Sequence, residues 1–376
     1  MPQDAQPPGL PMEIRLALAR AASARDPASV DAAAHLGELL LEAGRLDELR
    51  GLLAHDATAD GPAGLAVALA RRRVSAGDPA GALAVLEGAR PGDGVELARG
   101  LALTRLGRFE AAADAFLAEL RARDDAHEAC EALFKLALRA GGPAALPAAH
   151  ARLPDAYGRT PVGRGYGALA LSVEGRAAEA RAALDPFAHV EHRRLPTPEG
   201  FGGRDAFHAR LLAEIAASPG LHRGRKERFR KTETPGGPAE PALRALLAAC
   251  REAIDGYVAA LRAAGALDLL PPLPRPGRVT AQANLVEPGQ PHAAHVHKYA
   301  AVSGVYYVAV PEAEQGGAIV LGALDGLLEG HAPAWPVRRI RPAPGDVLLF
   351  PPHLFHAVEA TTSPEVRAAV AFDLVA

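Results

Sequence analysis

Apolar positions recur at helical spacing from about Met12 to Phe187. This stretch is rich in Ala and Leu, has almost no β-branched runs and breaks at Gly or Pro, a helical composition. The breaks are periodic. The segments AGRLDEL, AGDPAGAL, LGRFEAAADAF, AGGPAALPAA and EGRAAEARAAL place Gly44, Gly77, Gly107, Gly141 and Gly175 at intervals of 30 to 34 residues. In each, one helix ends before the Gly and a second amphipathic helix follows it. Glycine suits the left-handed C-cap that lets the chain reverse. A helix pair of this size cannot bury its own apolar face, so neighbours must stack, and the pattern predicts a helical solenoid over residues 12–190.

Near Glu191 the periodicity stops. HRRLPTPEGFGG brings Pro and Gly together and marks the entrance to a second domain. Two amphipathic helices are expected next, RDAFHARLLAEIAAS from Arg204 and PALRALLAACREAIDGYVAALRAAG from Pro241, with the spacing of helices that pack on a sheet. From Arg278 the pattern shortens. RVTAQANLV, VSGVYYVAV, GAIVLG, DVLLFP and VRAAVAFDLV are rich in Val, Ile, Tyr and Phe and are separated by Gly and Pro, which predicts the strands of a small jelly roll with helices on one side. The expected fold is thus α+β in two domains, with a disordered start at residues 1–11. An α-helical repeat domain would cover 12–190, and a second domain 191–376 would carry its barrel at 278–376.

The unit LGRFEAAADAF resembles the tetratricopeptide repeat, and the other units look like degenerate versions of it. The concave face of such an array commonly binds a peptide or protein, so a partner of that kind is expected on the repeats.

Composition narrows the partners further. The 41 Lys and Arg nearly balance the 44 Asp and Glu, for a net charge of −3, so neither nucleic acid nor an anionic membrane is expected as a partner. One basic cluster runs through Arg223, Arg225, Lys226, Arg228, Arg230 and Lys231. Phe229 alone interleaves it, and a solvated loop at the mouth of a site is the better reading. Cys130 and Cys250 are too few for a disulfide framework. The start MPQDAQPPGLP has neither the basic end nor the apolar run of a secretory signal, and no stretch approaches 18 uninterrupted apolar residues. A cytoplasmic location is expected.

The candidate chemistry lies in the β half. PHAAHVHKYAAVSGVYYV carries His292, His295 and His297. In an extended strand His295 and His297 share a face and can offer two ligands to one ion. His356 follows 61 residues after His295, in GDVLLFPPHLFHAV, with His353 as a nearby competitor. Arg367, 11 residues further on, is a cation on a strand that otherwise reads as buried.

This layout resembles the 2-oxoglutarate-dependent Fe(II) oxygenases, in particular bacterial and phage members with an HxH segment followed by SGVYYV, and it is also similar to the prolyl hydroxylases. The resemblance covers about Leu195 to Ala376, and the last hundred residues carry it. It implies a double-stranded β-helix in which His295, His297 and His356 bind Fe(II) on one side, leaving the other to 2-oxoglutarate and O2. Arg367 would pair with the far carboxylate of the keto acid. Tyr307, preferred over Tyr306, would donate a hydrogen bond to the same cosubstrate, with Ser303 on the same strand face as a further contact. The implied reaction is hydroxylation of an unknown substrate, and the fused repeats point to a peptide or protein.

One departure bears on the chemistry. Most of the family has Asp or Glu where this chain has His297, which raises the net charge at the iron by one unit. Asp346 is a replacement carboxylate by composition, but GD before an apolar strand reads better as a turn. Two other readings therefore stay open: a three-histidine dioxygenase that uses no keto acid, and an interaction scaffold whose metal-binding barrel has lost turnover.

Overall fold

The computed structural model describes residues 10–56, 64–87, 94–185, 187–218, 239–274, 276–311, 316–365 and 367–376, positions 89 and 92, and the backbone of 222–223 and 229–233. The expected disordered start, apart from Leu10 and Pro11, and the side chains of the cluster from Arg223 to Lys231 lie outside the described residues. The chain divides into two compact units, Pro2–Pro154 and Asp155–Ala376.

The first unit is helical: α1 (Met12–Arg25), α2 (Val30–Glu42), α3 (Leu46–Asp56), α4 (Leu65–Ala76), α5 (Pro79–Leu86), α6 (Val95–Arg105), α7 (Phe109–Ala122), α8 (His127–Gly141) and α9 (Leu146–Ala151). Side-chain caps start some of them. Ser29 accepts from the Ala32 N–H before α2, and Asp78 from the Gly81 N–H before α5. Alternate helices stack in succession, α2 on α4, α4 on α6 and α6 on α8. Their small and branched apolar residues, such as Leu39, Leu65, Leu69 and Ala70, are buried between them.

The repeated glycines do what their spacing predicts at four of five places. Gly44, Gly77, Gly107 and Gly175 have φ of 70°, 87°, 74° and 78°. In each case the next N–H reaches the carbonyl five residues back, at 2.8 to 3.0 Å from Arg45, Asp78, Arg108 and Arg176. This bond closes the helix end on a left-handed residue. The fourth unit differs: Gly141 is the last residue of α8, and Gly142 takes the positive φ of 65°.

The second unit begins with α10 (Pro161–Val173) and α11 (Ala177–Ala183), which carry the fifth glycine. Their compact unit therefore begins at Asp155, whereas the sequence pattern put the boundary at 190/191. Packing gives the reason. Gly165 sits against the His353 backbone, where a Cβ would come within 2.8 Å of the carbonyl oxygen. Tyr166 meets Phe355 edge-on at 5.3 Å between centroids. Ser172 Oγ accepts from the Ala334 N–H at 3.0 Å.

The rest of this unit is two antiparallel sheets with helices α12 (Arg204–Ala217) and α13 (Pro241–Ala263). The strands are β1 (Glu191–Arg194), β2 (His222–Arg223), β3 (Phe229–Glu233), β4 (Arg278–Val286), β5 (His292–His295), β6 (Val302–Ala309), β7 (Ile319–Leu321), β8 (Arg338–Ile340), β9 (Asp346–Phe350), β10 (His356–Val358) and β11 (Arg367–Val375). The larger sheet has the order β1-β9-β6-β11-β4-β3-β2 and the smaller β5-β10-β7-β8. HRR, read as part of a linker, belongs to the strand β1 on the edge beside β9.

Period-two alternation divides the large sheet into two functional faces. Tyr306, Val308, Val370, Phe372 and Leu374 join the core formed with Phe207, Leu211, Ile215, Leu246 and Ile254 of the helices. The opposite face carries Ser303, Val305 and Tyr307 of β6, registered against Asp373, Ala371 and Ala369 of β11. Arg367 lies on this second face by the same alternation. Among the described residues, no helix is long and apolar enough to cross a membrane.

Candidate metal centre

Two strands and the segment that follows β5 deliver the histidines. His295 ends β5 and His356 begins β10, and the two are directly paired in the small sheet. His297 lies just beyond β5, where its N–H bonds to the Pro352 carbonyl at 3.0 Å and keeps the chain extended. The expected strand is thus shorter than the HxH segment, yet the rings still converge. Centroids are 5.4 Å apart for His295 and His297, 4.3 Å for His295 and His356, and 5.0 Å for His297 and His356. One potential ligand atom from each of the three lies within 4.8 Å of the others.

The hydrogen bonds decide which nitrogen each ring offers. Nδ1 of His295 lies 2.9 Å from the Ala293 carbonyl, and Nδ1 of His356 lies 3.1 Å from that of Leu354. Nδ1 of His297 lies 2.7 and 2.9 Å from the two carboxylate oxygens of Asp373. All these partners only accept, so each Nδ1 carries a proton and each ring presents Nε2 to a metal. This donor set fits a transition metal that takes imidazole nitrogen.

The three rings differ electrostatically. Burial, and then the neighbouring His295 and His297, hold His356 well below the usual imidazole range, so its ring is neutral at pH 7. Burial also pulls His297 down, but the charge and hydrogen bond of Asp373 outweigh it and leave His297 above its ordinary value.

On the same sheet face, Arg367 is 3 % exposed, and its Nε donates to the Gly317 carbonyl at 3.1 Å. Its guanidinium carbon stands 5.5 Å from the centre of the Tyr307 ring. Among the described residues no acidic side chain pairs with it. Burial pushes the Tyr307 phenol up to about 12 against the opposing pull of Arg367, so it remains a donor at neutral pH. Its hydroxyl is buried with no partner among the described residues.

Not every expected residue joins these groups. Ser303 does not stand beside Tyr307 and Arg367. It sits four residues along β6 from Tyr307, completely buried, and donates to Asp373 Oδ1 at 2.7 Å. Strand alternation correctly placed it on that face but could not say which end of the face it would serve. Tyr306 faces the helices, where its hydroxyl and His208 Nε2 are 2.8 Å apart. His353 is buried under α10, outside the cluster. Asp346 closes the turn before β9, accepting from the Ala343 N–H at 2.8 Å and lying 3.0 Å from His192 Nε2.

Asp373, which meets His297 Nδ1, is a residue of this cluster that the sequence pattern did not single out. Its only signal was an acid at an inward position of the last strand, six residues after Arg367.

Residues 281–373 match the family model described as "Putative 2OG-Fe(II) oxygenase". The match spans β4 to β11 and contains all three histidines, Tyr307 and Arg367. This segment is a 2OG-Fe(II) oxygenase domain. The oxygenase domain uses Fe(II), 2-oxoglutarate and O2. No curated protein matches the chain.

Solved structures similar to it include a Pseudomonas putida prolyl-4-hydroxylase, at 18 % identity over 50 % of this chain and 92 % of that one, with a TM-score of 0.35. A Trichoplax adhaerens prolyl hydroxylase in complex with a hypoxia inducible factor peptide fragment has 13 % identity over 50 % and 84 %, TM-score 0.34. The carbocyclase SnoK from nogalamycin biosynthesis has 19 % identity over 50 % and 79 %, TM-score 0.35.

Proposed function

We propose that His295, His297 and His356 hold the Fe(II) of this oxygenase, and that Arg367 and Tyr307 hold the far carboxylate of 2-oxoglutarate. The reading takes the two sheets as a double-stranded β-helix. The observation that carries it is a buried guanidinium with no acidic partner among the described residues, on the sheet face that also bears the Asp373 contact to His297. A buried cation is costly unless it is paired. A dicarboxylate supplies the missing charge in the bidentate geometry that suits arginine. The unpartnered Tyr307 hydroxyl is a second donor for the same group.

When bound, Fe(II) with 2-oxoglutarate and O2 supplies the oxidising chemistry, in which the keto acid is decarboxylated and a substrate C–H bond is hydroxylated. The chain's own work is positional. The Nδ1 hydrogen bonds fix three ring planes before the metal arrives. Arg367 and Tyr307 anchor one end of the cosubstrate and so orient the other. Ala369 and Ala371 keep the strip of β11 between Arg367 and Asp373 small. Phe350, whose ring centroid is 4.9 Å from that of His356, walls one side against water.

The first unit is read as a tetratricopeptide-like solenoid that presents a peptide or protein to the oxygenase. Its support is the succession of stacked helices and the repeated glycine cap. The two cysteines, both buried and not bridged to each other, accord with a cytoplasmic location. The substrate reading fails if the second unit alone turns over a small metabolite as well as the full chain does.

The test of the centre is an anaerobic titration of the Fe(II)-loaded protein with 2-oxoglutarate, following the visible charge-transfer band of the chelate. The wild type should give a saturable band, and Arg367→Ala should require at least about tenfold more keto acid, the loss of one or more charge-assisted bonds. A band indifferent to Arg367 would overturn the anchor. Bound iron with no band at all would favour a three-histidine dioxygenase that uses no keto acid.

A further inference from the structure

We propose that Asp373 is a positioning residue that supplies, through His297, the negative charge that a three-imidazole metal set lacks. The inference rests on the ligand assignment proposed above. Nδ1 of His297 has an anionic partner, the carboxylate of Asp373. His295 and His356 donate to the neutral carbonyls of Ala293 and Leu354. The contact from His297 reaches both oxygens of Asp373, at 2.7 and 2.9 Å.

A carboxylate on the far nitrogen of a ligating imidazole raises the basicity of the near one and fixes the ring. With an acid as the third ligand, the metal would receive a full negative charge directly. Here the charge lies on the far side of the imidazole, across the Nδ1–H hydrogen bond.

The carboxylate is itself held. Ser303 Oγ donates to Asp373 Oδ1 at 2.7 Å, and Ser303 is fully buried. Ser303 and Asp373 are direct register partners between β6 and β11, so the central strands of the large sheet set their separation. A hydroxyl, a carboxylate and an imidazole therefore form one chain leading to the metal position, built from three separate segments. An ordinary surface ion pair has no need of a buried serine to fix its acid.

The test uses full-length protein stripped of metal and titrated with Co(II), followed by the absorption of the bound ion, and then the Fe(II)–2-oxoglutarate band. Asp373→Asn keeps the shape and an acceptor for Nδ1–H but removes the charge. It should bind Co(II) about 10- to 100-fold more weakly, and the energy of its chelate band should rise because the iron is less electron-rich. Ser303→Ala should move both readouts in the same direction by a smaller factor, and it decides the matter if the Asn variant does not fold. Wild-type Co(II) affinity and an unshifted band in a folded Asn variant, or no change in Ser303→Ala where the Asn variant is unfolded, would overturn the role of Asp373 while leaving the ligand assignment standing. A wild type that binds neither Co(II) nor the Fe(II) chelate would overturn both.

Discussion

At the scale of single residues, the second unit sorts chemically similar side chains by environment. Five histidines lie within the span from His295 to His356, and three of them converge. Another, His353, is 4 % exposed. Burial first, and then the Arg164 cation, hold it down at about 3, although a bond to the Ala183 backbone works the other way. The sign of the consequence follows. Between its ordinary value of 6.5 and about 3, the unfolded chain binds a proton that the native state refuses. His353 is therefore fully compatible with the native state above pH 6.5, and stability is lost as pH falls from there towards 3, by up to about 1.4 kcal/mol per pH unit. His356 and His208 shift in the same direction and add to the slope. Urea unfolding of the metal-free protein between pH 6.5 and 4 should show this decline, and His353→Gln should make it shallower by about one proton's worth. An unchanged slope would mean that His353 is not the buried neutral group described.

At the scale of elements, the central strands matter because one face holds the core and the other the chemistry. Gly304, between Ser303 and Val305, is on the core face, where the Phe372 ring and a Leu349 methyl occupy the space of a Cβ. In SGVYYV the glycine thus makes room for an aromatic on the neighbouring strand, and only its partners across the sheet reveal this. Gly304→Ala should overpack the site and cost about 1–3 kcal/mol in chemical denaturation. Because β6 also positions Ser303 against Asp373, metal affinity should fall with it. Wild-type stability in that variant would show that Phe372 has room to turn away. The short strands β5 and β10 behave differently: their pairing through His295 and His356 makes two of the proposed ligands partners in one ladder.

At the scale of the whole molecule, sequence repetition and physical compactness divide the chain at different places. The helices α10 and α11 repeat the glycine pattern of the first unit but pack on the segment that leads from β9 to β10. A fragment of residues 155–376 should therefore unfold cooperatively and retain the Fe(II)–2-oxoglutarate band. A fragment of residues 191–376 should lose it or aggregate, because Val296 and Phe355 would be stripped of their cover. Circular dichroism melts and the same titration on both fragments would decide, and equal behaviour would count against the Asp155 boundary.

The periodic glycines, the switch from a helical to a β pattern near Arg278, the HxH segment, His356 and Arg367 were all legible in the sequence, because each depends on local conformation or on side-chain chemistry at fixed spacing. The tertiary structure alone decided that Ser303 serves Asp373 and not the Arg367 end, that β1 completes the edge of the large sheet, and that the fifth helical pair packs with the oxygenase domain. These are matters of register and packing between segments far apart in the chain. A one-dimensional pattern fixes which face a side chain takes, but only the pairing of strands fixes what it meets there.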